Sequence, residues 1–143
     1  MTALALRSAS LADPVARHAH WFLRISLASV YLYHGLTKFP VLDGMAAMLG
    51  LPVLVVFLVA LTETVGGSLI LAGGFLRGAL GDLSTRLGAL VVMPVVLGAI
   101  SIFHWGQWTF VASDSHPMGG MEFQVTLLLL QLFLIFKGNG RQA

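Results

Sequence analysis

The sequence predicts an all-α protein: an integral membrane four-helix bundle with both termini cytoplasmic. Three observations predict it. Apolar residues make up 57% of the 143-residue chain and charged residues only 10%, against roughly 25% charge in a soluble domain. Mean hydropathy is +0.90. The apolar residues also gather into four runs, each bounded by polar or chain-breaking residues. The 8 Lys and Arg and 6 Asp and Glu residues cannot coat a water-soluble globule of this size. A soluble four-helix bundle needs a polar face on each helix, and Leu127–Leu130 and Val91–Val96 offer none. A net charge of +2 forms no basic face, so no nucleic-acid partner is expected. Cysteine is absent, which removes disulfides, thiolate nucleophiles and iron–sulfur ligation together.

The first run covers Trp21–Phe39, the second Pro52–Phe75, the third Leu87–Phe103 and the fourth Phe123–Phe136, with Glu122 at its mouth. The first three approach the roughly 20 residues that cross a bilayer. Backbone groups in lipid must bond within their own segment, so each run reads as a helix. Pro94 should kink the third. Residues 1–18 read as a cytoplasmic segment, 19–137 as the membrane domain and 138–143 as a cytoplasmic tail. Residues 1–20 lack the layout of a cleavable signal peptide, so the first span should be its own signal anchor.

Charge sets the expected orientation. With the N-terminus inside, the inner segments hold Arg7, Arg17, Arg77, Arg86, Lys137 and Arg141, and the outer loops hold only Lys38. The expected location is the inner (cytoplasmic) membrane, crossed several times. Trp21 marks the inner interface, and Trp105 and Trp108 the outer one. The inner connection Gly78–Arg86 reads as a short polar loop. Pro40–Leu51 and Trp105–Met121 read as the outer loops.

Ionisable residues within spans are costly and usually face a partner or a cavity. On the first span Arg24, Tyr31 and Lys38 recur every seven residues, on one stripe, with His34 beside it. Arg24 and Lys38 could instead snorkel to opposite interfaces, which leaves His34 unexplained. Tyr31 and His34 lie about 15–20 Å above the inner end, and Glu63 at about 18 Å. Consecutive spans joined by a short loop pack side by side. His34 and Glu63 should therefore face the interior within reach of a direct or water-bridged hydrogen bond, with Tyr31 or Tyr33 nearby. That pair would form the inner wall of a pocket. Lys38, His104 and Glu122, all about 25 Å up, would form its outer mouth. The alternatives are a buried carboxyl that merely locks the bundle, and three interfacial residues that face water separately.

Small residues supply close packing: Thr62, Gly66, Gly67, Gly73 and Gly74 on the second span, Gly88, Gly98 and Ser101 on the third. Gln124 and Gln131 place a polar stripe on the fourth. His34 and His104 differ by about 6 Å in height, too much for a bis-His haem. His104, His116, Met118 and Met121 are a weak soft-copper candidate, and no metal site is expected. Walker, Rossmann, HExxH and GxSxG motifs are absent.

The string Arg24…Tyr33-His34-Gly35-Leu36-Thr37-Lys38-Phe39 resembles the opening of the DoxX family. So do Glu63-Thr64-Val65-Gly66-Gly67-Ser68-Leu69, Gly73-Gly74-Phe75 and Arg86-Leu87-Gly88-Ala89 in that order. His104-Trp105-Gly106, Gly120-Met121-Glu122 and the closing Lys137-Gly138-Asn139-Gly140 complete a likeness over residues 20–140. Arg86 falls where the family has an Arg after the second span, with Arg77 as a rival. The resemblance implies four spans and association with redox enzymes. One branch supplies a membrane subunit of a thiosulfate:quinone oxidoreductase, another a membrane partner of soluble oxidoreductases, and a third accompanies copper-related peptide biosynthesis.

Two functions follow. The first is a quinone-interacting membrane subunit of an oxidoreductase, without a metal or flavin of its own. It needs an apolar slot, donors to two carbonyls and protonatable groups. Glu63 and His34 are the candidate catalytic groups, and Tyr31, Lys38, His104, Glu122 and Trp105 the candidate quinone-binding ones. Electrons would come from a protein partner in a redox complex. The second is a non-catalytic membrane anchor or assembly subunit, in which Glu63 and His34 are polar glue and the aromatic outer loop is a docking surface. The bilayer is a partner in both, and a homo-oligomer is compatible with either. A small transporter is a third reading, for which four short spans leave little room.

Overall fold

The computed structural model describes residues 18–139, and every regular element among them is a helix. Helix α1 spans His20–Lys38, α2 Leu42–Leu49, α3 Val53–Phe75, α4 Gly78–Ala99 and α5 Glu122–Lys137. A 3-10 turn, Phe39–Val41, leads from α1 to α2, and a π turn, Ile100–His104, extends α4. Arg7, Arg17, Gly140 and Arg141, used above for the inner charge and the Gly-rich close, lie outside the described residues. Helix α1 packs on α3, α3 on α4, and α4 on α5, with a lighter contact between α1 and α5. Leu27, Ala28, Ile70, Ala89, Val92 and Leu134 are among the buried residues of the core they share. Two segments, Val53–Phe75 and Gly78–His104, are long and apolar enough to cross a membrane.

Two segments expected as loops are helical. Gly78–Arg86 is not an inner loop but the first turns of α4, so this helix begins at Gly78 rather than at Leu87. The reversal is confined to Leu76 and Arg77, both extended, followed by Gly78 at φ +62°. Polar residues here are tolerated because they bond locally and across the interface. Thr85 Oγ1 donates to the Gly81 carbonyl (2.9 Å) and Ser84 Oγ to the Leu69 carbonyl (2.9 Å). Likewise Pro40–Leu51 is mostly helix: α2 ends at Gly50, whose φ of +66° lets its N–H bond back to Ala46 and Ala47.

The α3–α4 interface is backbone against backbone. A methyl group on Gly66 would fall 2.9 Å from the Gly88 carbonyl oxygen, and one on Gly88 2.8 Å from that of Gly66. Two turns on, a methyl on Gly73 would run into Thr85 Oγ1. Small residues therefore set how near the helices come.

Arg24 does not snorkel. It is 1% exposed, and its guanidinium joins three parts of the fold. Nε donates to His20 Nδ1 (3.0 Å), and Nη1 to the Ile70 carbonyl (2.7 Å) and Thr85 Oγ1 (2.8 Å). Nη2 donates to Asn139 Oδ1. Asn139 Nδ2 in turn donates to the Gly73 carbonyl (2.8 Å), and its backbone N–H to Asp82 Oδ1 (2.8 Å). Asp82 also accepts from Arg86 Nε (2.7 Å), and Arg86 Nη1 donates to the carbonyls of Ile135 (2.5 Å) and Phe136 (3.2 Å). Arg86 thus holds the last turn of α5, a role Arg77 does not share.

Gly88→Ala should lower stability by about 1–3 kcal/mol, because the methyl meets backbone that cannot yield. Gly98→Ala, where a methyl meets open space, should raise it by about 0.5–1 kcal/mol through helix propensity. Thermal unfolding of the two variants in one detergent checks the opposite signs.

Candidate functional site

Small residues also bring α1 onto α3. A methyl on Gly35 would lie 2.8 Å from the Ala60 carbonyl oxygen, and one on Gly67 3.3 Å from the Leu32 nitrogen. Glu63 lies between these two contacts on α3, facing α1, and is 7% exposed. Its partner is Lys38: Nζ stands 2.5 Å from Glu63 Oε2, and both side chains are largely buried. The same ammonium donates to the His34 carbonyl oxygen at 2.9 Å.

The expected His34–Glu63 hydrogen bond is therefore replaced by Lys38–Glu63. His34 contributes its backbone oxygen, while its ring is exposed and sits edge-on to Tyr33, 5.6 Å between centroids. The reason is reach. Side chains of a helix lean toward its N-terminus, and the long Lys38 folds back a full turn along α1. Heights counted from Cα positions placed Lys38 with the outer group, whereas its ammonium works at the Glu63 level.

This pair borders a half-open apolar cavity of about 660 Å³, within the roughly 300–1,000 Å³ of small-molecule sites. Helices α1, α2, α3 and α4 and the start of α5 contribute to its wall, Val55, Val59, Val91, Val95, Met45 and Met48 among them. Tyr31, His34, Lys38, Glu63 and His104 all line it. The α2 methionines escaped the sequence reading because their segment was taken for a loop. Their signal was the apolar content of Met45–Leu49 beside Gly50.

The π turn supplies another part of the lining. It carries His104, 7% exposed, into a fixed position between two partners. His104 Nδ1 meets the Gly119 carbonyl oxygen at 2.8 Å and Nε2 meets Gln124 Nε2 at 2.9 Å. An amide donating to Nε2 makes Nδ1 the protonated nitrogen. Both ring nitrogens of His104 are thus engaged by protein partners, and neither is left over for a metal.

Two expected site residues stand outside the cavity lining. Glu122 Oε2 accepts the Phe110 backbone N–H at 3.3 Å, so it pins the loop between π turn and α5. Backbone bonds from Gly120 to Thr109, Met121 to Gln107 and Glu122 to Trp108 fold that loop on itself. Trp105 is 70% exposed, and its carbonyl oxygen accepts from His116 Nε2 at 2.8 Å. His116 is thereby committed to the loop rather than to a soft-metal cluster with His104. Among the described residues no group of three or more His, Asp or Glu side chains could hold a metal ion.

The DoxX family matches residues 19–105, which carry α1, the Lys38–Glu63 pair and His104. The chain belongs to the DoxX family. It is also 28% identical over 120 residues to "Putative oxidoreductase CatD" of Bacillus subtilis (strain 168), covering 82% of this chain and 77% of that one. No solved structure matches it. In this DoxX protein the strings Tyr33–Lys38 and Glu63–Gly67 lie on facing helices, at the point where they meet.

Replacing Lys38 by Met removes the ammonium and keeps the length. Glu63 is left without its partner in a largely buried position, and stability should fall by about 3–5 kcal/mol. The double variant Lys38→Met, Glu63→Gln should recover much of that loss, because no charge is then stranded. Unfolding of the four members of the cycle in detergent measures the coupling.

Proposed function

We propose that this DoxX protein is a four-span subunit of the inner membrane, both termini cytoplasmic, whose cavity takes a lipid-soluble quinone in association with an oxidoreductase partner. The observation that carries the reading is a largely buried ion pair on the wall of a 660 Å³ apolar cavity. The relative named as an oxidoreductase supports the redox association.

The donor set suits such a ligand. An ammonium has three N–H donors, and two of those of Lys38 are occupied by Glu63 and the His34 carbonyl. The third is available to a carbonyl oxygen. The second oxygen of Glu63 takes no hydrogen bond from the described residues and can accept from a hydroxyl. A bound quinone would supply two-electron, two-proton redox chemistry, with electrons exchanged with the partner protein. This chain's share is to seat the ring among Val and Met side chains, orient one oxygen at Lys38 Nζ, and hold a proton at Glu63.

The non-catalytic anchor is the second reading, favoured by the exposed Trp105, Trp108 and Phe110 on one loop. There the ion pair only joins α1 to α3. Glu63→Gln separates the two. The quinone reading expects the partner to assemble normally while binding of a short-tailed quinone and turnover both fall. Lost assembly with quinone binding intact favours the anchor.

Orientation has its own test, helped by a chain without cysteine. Ser115→Cys should react with a membrane-impermeant thiol reagent in intact spheroplasts. Lys137→Cys should react only after lysis.

A further inference from the structure

Helices α3 and α4 meet in two ways along their length. From the reversal at Leu76–Arg77 as far as Gly66 and Gly88, backbone touches backbone. A methyl on Gly73 would fall 2.8 Å from the Thr85 nitrogen, and one on Gly88 2.8 Å from the Ile70 nitrogen. Farther from the reversal the seam opens. Pro94 lies inside α4 and has no N–H for the Leu90 carbonyl, which frees the helix to lean away from α3. One turn later, a methyl on Gly98 would meet nothing within 4 Å. Val55 and Leu58 of α3, Val91 and Pro94 of α4 and Ile102 of the π turn all line the cavity and yet are exposed. Residues that do both stand on the rim of an opening.

The rim has a definite chemistry. Among the described residues that line the cavity, every exposed one except His34 is apolar. A contiguous apolar rim of this kind is unfavourable against water and marks a surface that meets lipid or a ligand. The helices that carry it, Val53–Phe75 and Gly78–His104, are also the two segments long and apolar enough to cross a membrane. An opening between their flanks therefore faces sideways, into hydrocarbon. The charged groups of the same cavity lie off this rim: the Lys38 and Glu63 side chains are only 13% and 10% exposed.

We propose that the gap between α3 and α4 around Pro94 and Gly98 is a lateral portal, through which the ligand enters from the bilayer and in which its hydrocarbon tail remains while its polar ring stands at Lys38 and Glu63. The ligand class is then a quinone with a long apolar tail, taken from the membrane, and not a tailless quinone taken from water. This rests on the quinone reading above and adds the route and the tail site. Gly98 gives the portal its width, and the valines, Leu58 and Ile102 give the tail apolar walls.

The test uses the full chain in detergent and a para-benzoquinone whose decyl tail ends in a photoactivatable diazirine. Calorimetric titration first shows whether the probe binds. Illumination with and without excess unlabelled decyl quinone, followed by mass spectrometry, then locates the tail. Labels removed by the competitor should fall on 55–59 and 91–102. Competitor-sensitive labels confined to α1, α2 or α5, or binding without any competitor-sensitive label, overturn the portal and leave the quinone reading standing. Absence of binding sinks the quinone reading itself. Gly98→Leu fills the gap without meeting backbone, and should weaken the decyl quinone about tenfold more than the same ring without a tail. Equal effects on the two also overturn the portal.

Discussion

A charge inside a low-dielectric bundle must be matched within the bundle, and α1 carries one near each end. That constraint organises the molecule. At one end the Arg24 fork spreads its donors over His20, the Ile70 carbonyl, Thr85 and Asn139. At the other, Lys38 is held by a single carboxylate and a carbonyl of its own helix. Fork and ammonium are not interchangeable. A planar guanidinium bridges several elements at once, whereas an ammonium is a compact charge with rotatable donors.

The two ends therefore do different things. Arg24 binds α1 to α3, α4 and the residues after α5 through acceptors that carry no charge. Arg24 is 1% exposed, so this end is closed. The Lys38 end uses one full charge against another and leaves an N–H and a carboxylate oxygen over. Replacing a paired buried charge by apolar groups is often neutral or stabilising, so such a pair is weak evidence of a need for stability. Its position on the wall of a cavity gives it a second use.

Much of this was legible in the sequence. Composition announced lipid, and the runs beginning at Trp21, Pro52 and Phe123 fall on helices close to their expected bounds. The choice of Tyr31, His34, Lys38, Glu63 and His104 needed only the rule that ionisable groups in apolar runs are expensive, and all five border one cavity. What misled was treating polarity as a loop signal. Asp82, Ser84, Thr85 and Arg86 looked like a connection, yet each of them spends its polar atoms on Leu69, Gly81, Asn139 or the end of α5 and so can lie in helix. The pairing of Glu63 was missed for a related reason. Height along an axis is a property of Cα, and Lys38 delivers its charge a turn away from its own. Glu122 was grouped with the site by its height and Trp105 as an aromatic of the outer interface, while their side-chain and backbone atoms close the loop after the π turn.

The glycines show why the cavity can exist beside so tight a core. Gly66, Gly73 and Gly88 press α3 onto α4, and Gly35 and Gly67 press α1 onto α3, with backbone atoms in near contact. Helix α5 packs on α4 instead and touches α1 only lightly. Close packing along two seams leaves the third side to be filled by side chains alone. There Leu127 and the Met45 and Met48 of α2 leave room that no backbone occupies. Methionine is unbranched and adaptable, which suits a wall that must accommodate something other than protein. Gly98 faces the same space with nothing within 4 Å of where its methyl would be. The open side thus follows from where the small residues were spent, and two of the described residues with a buried side-chain atom left without a hydrogen bond, Tyr31 and Gln124, line it.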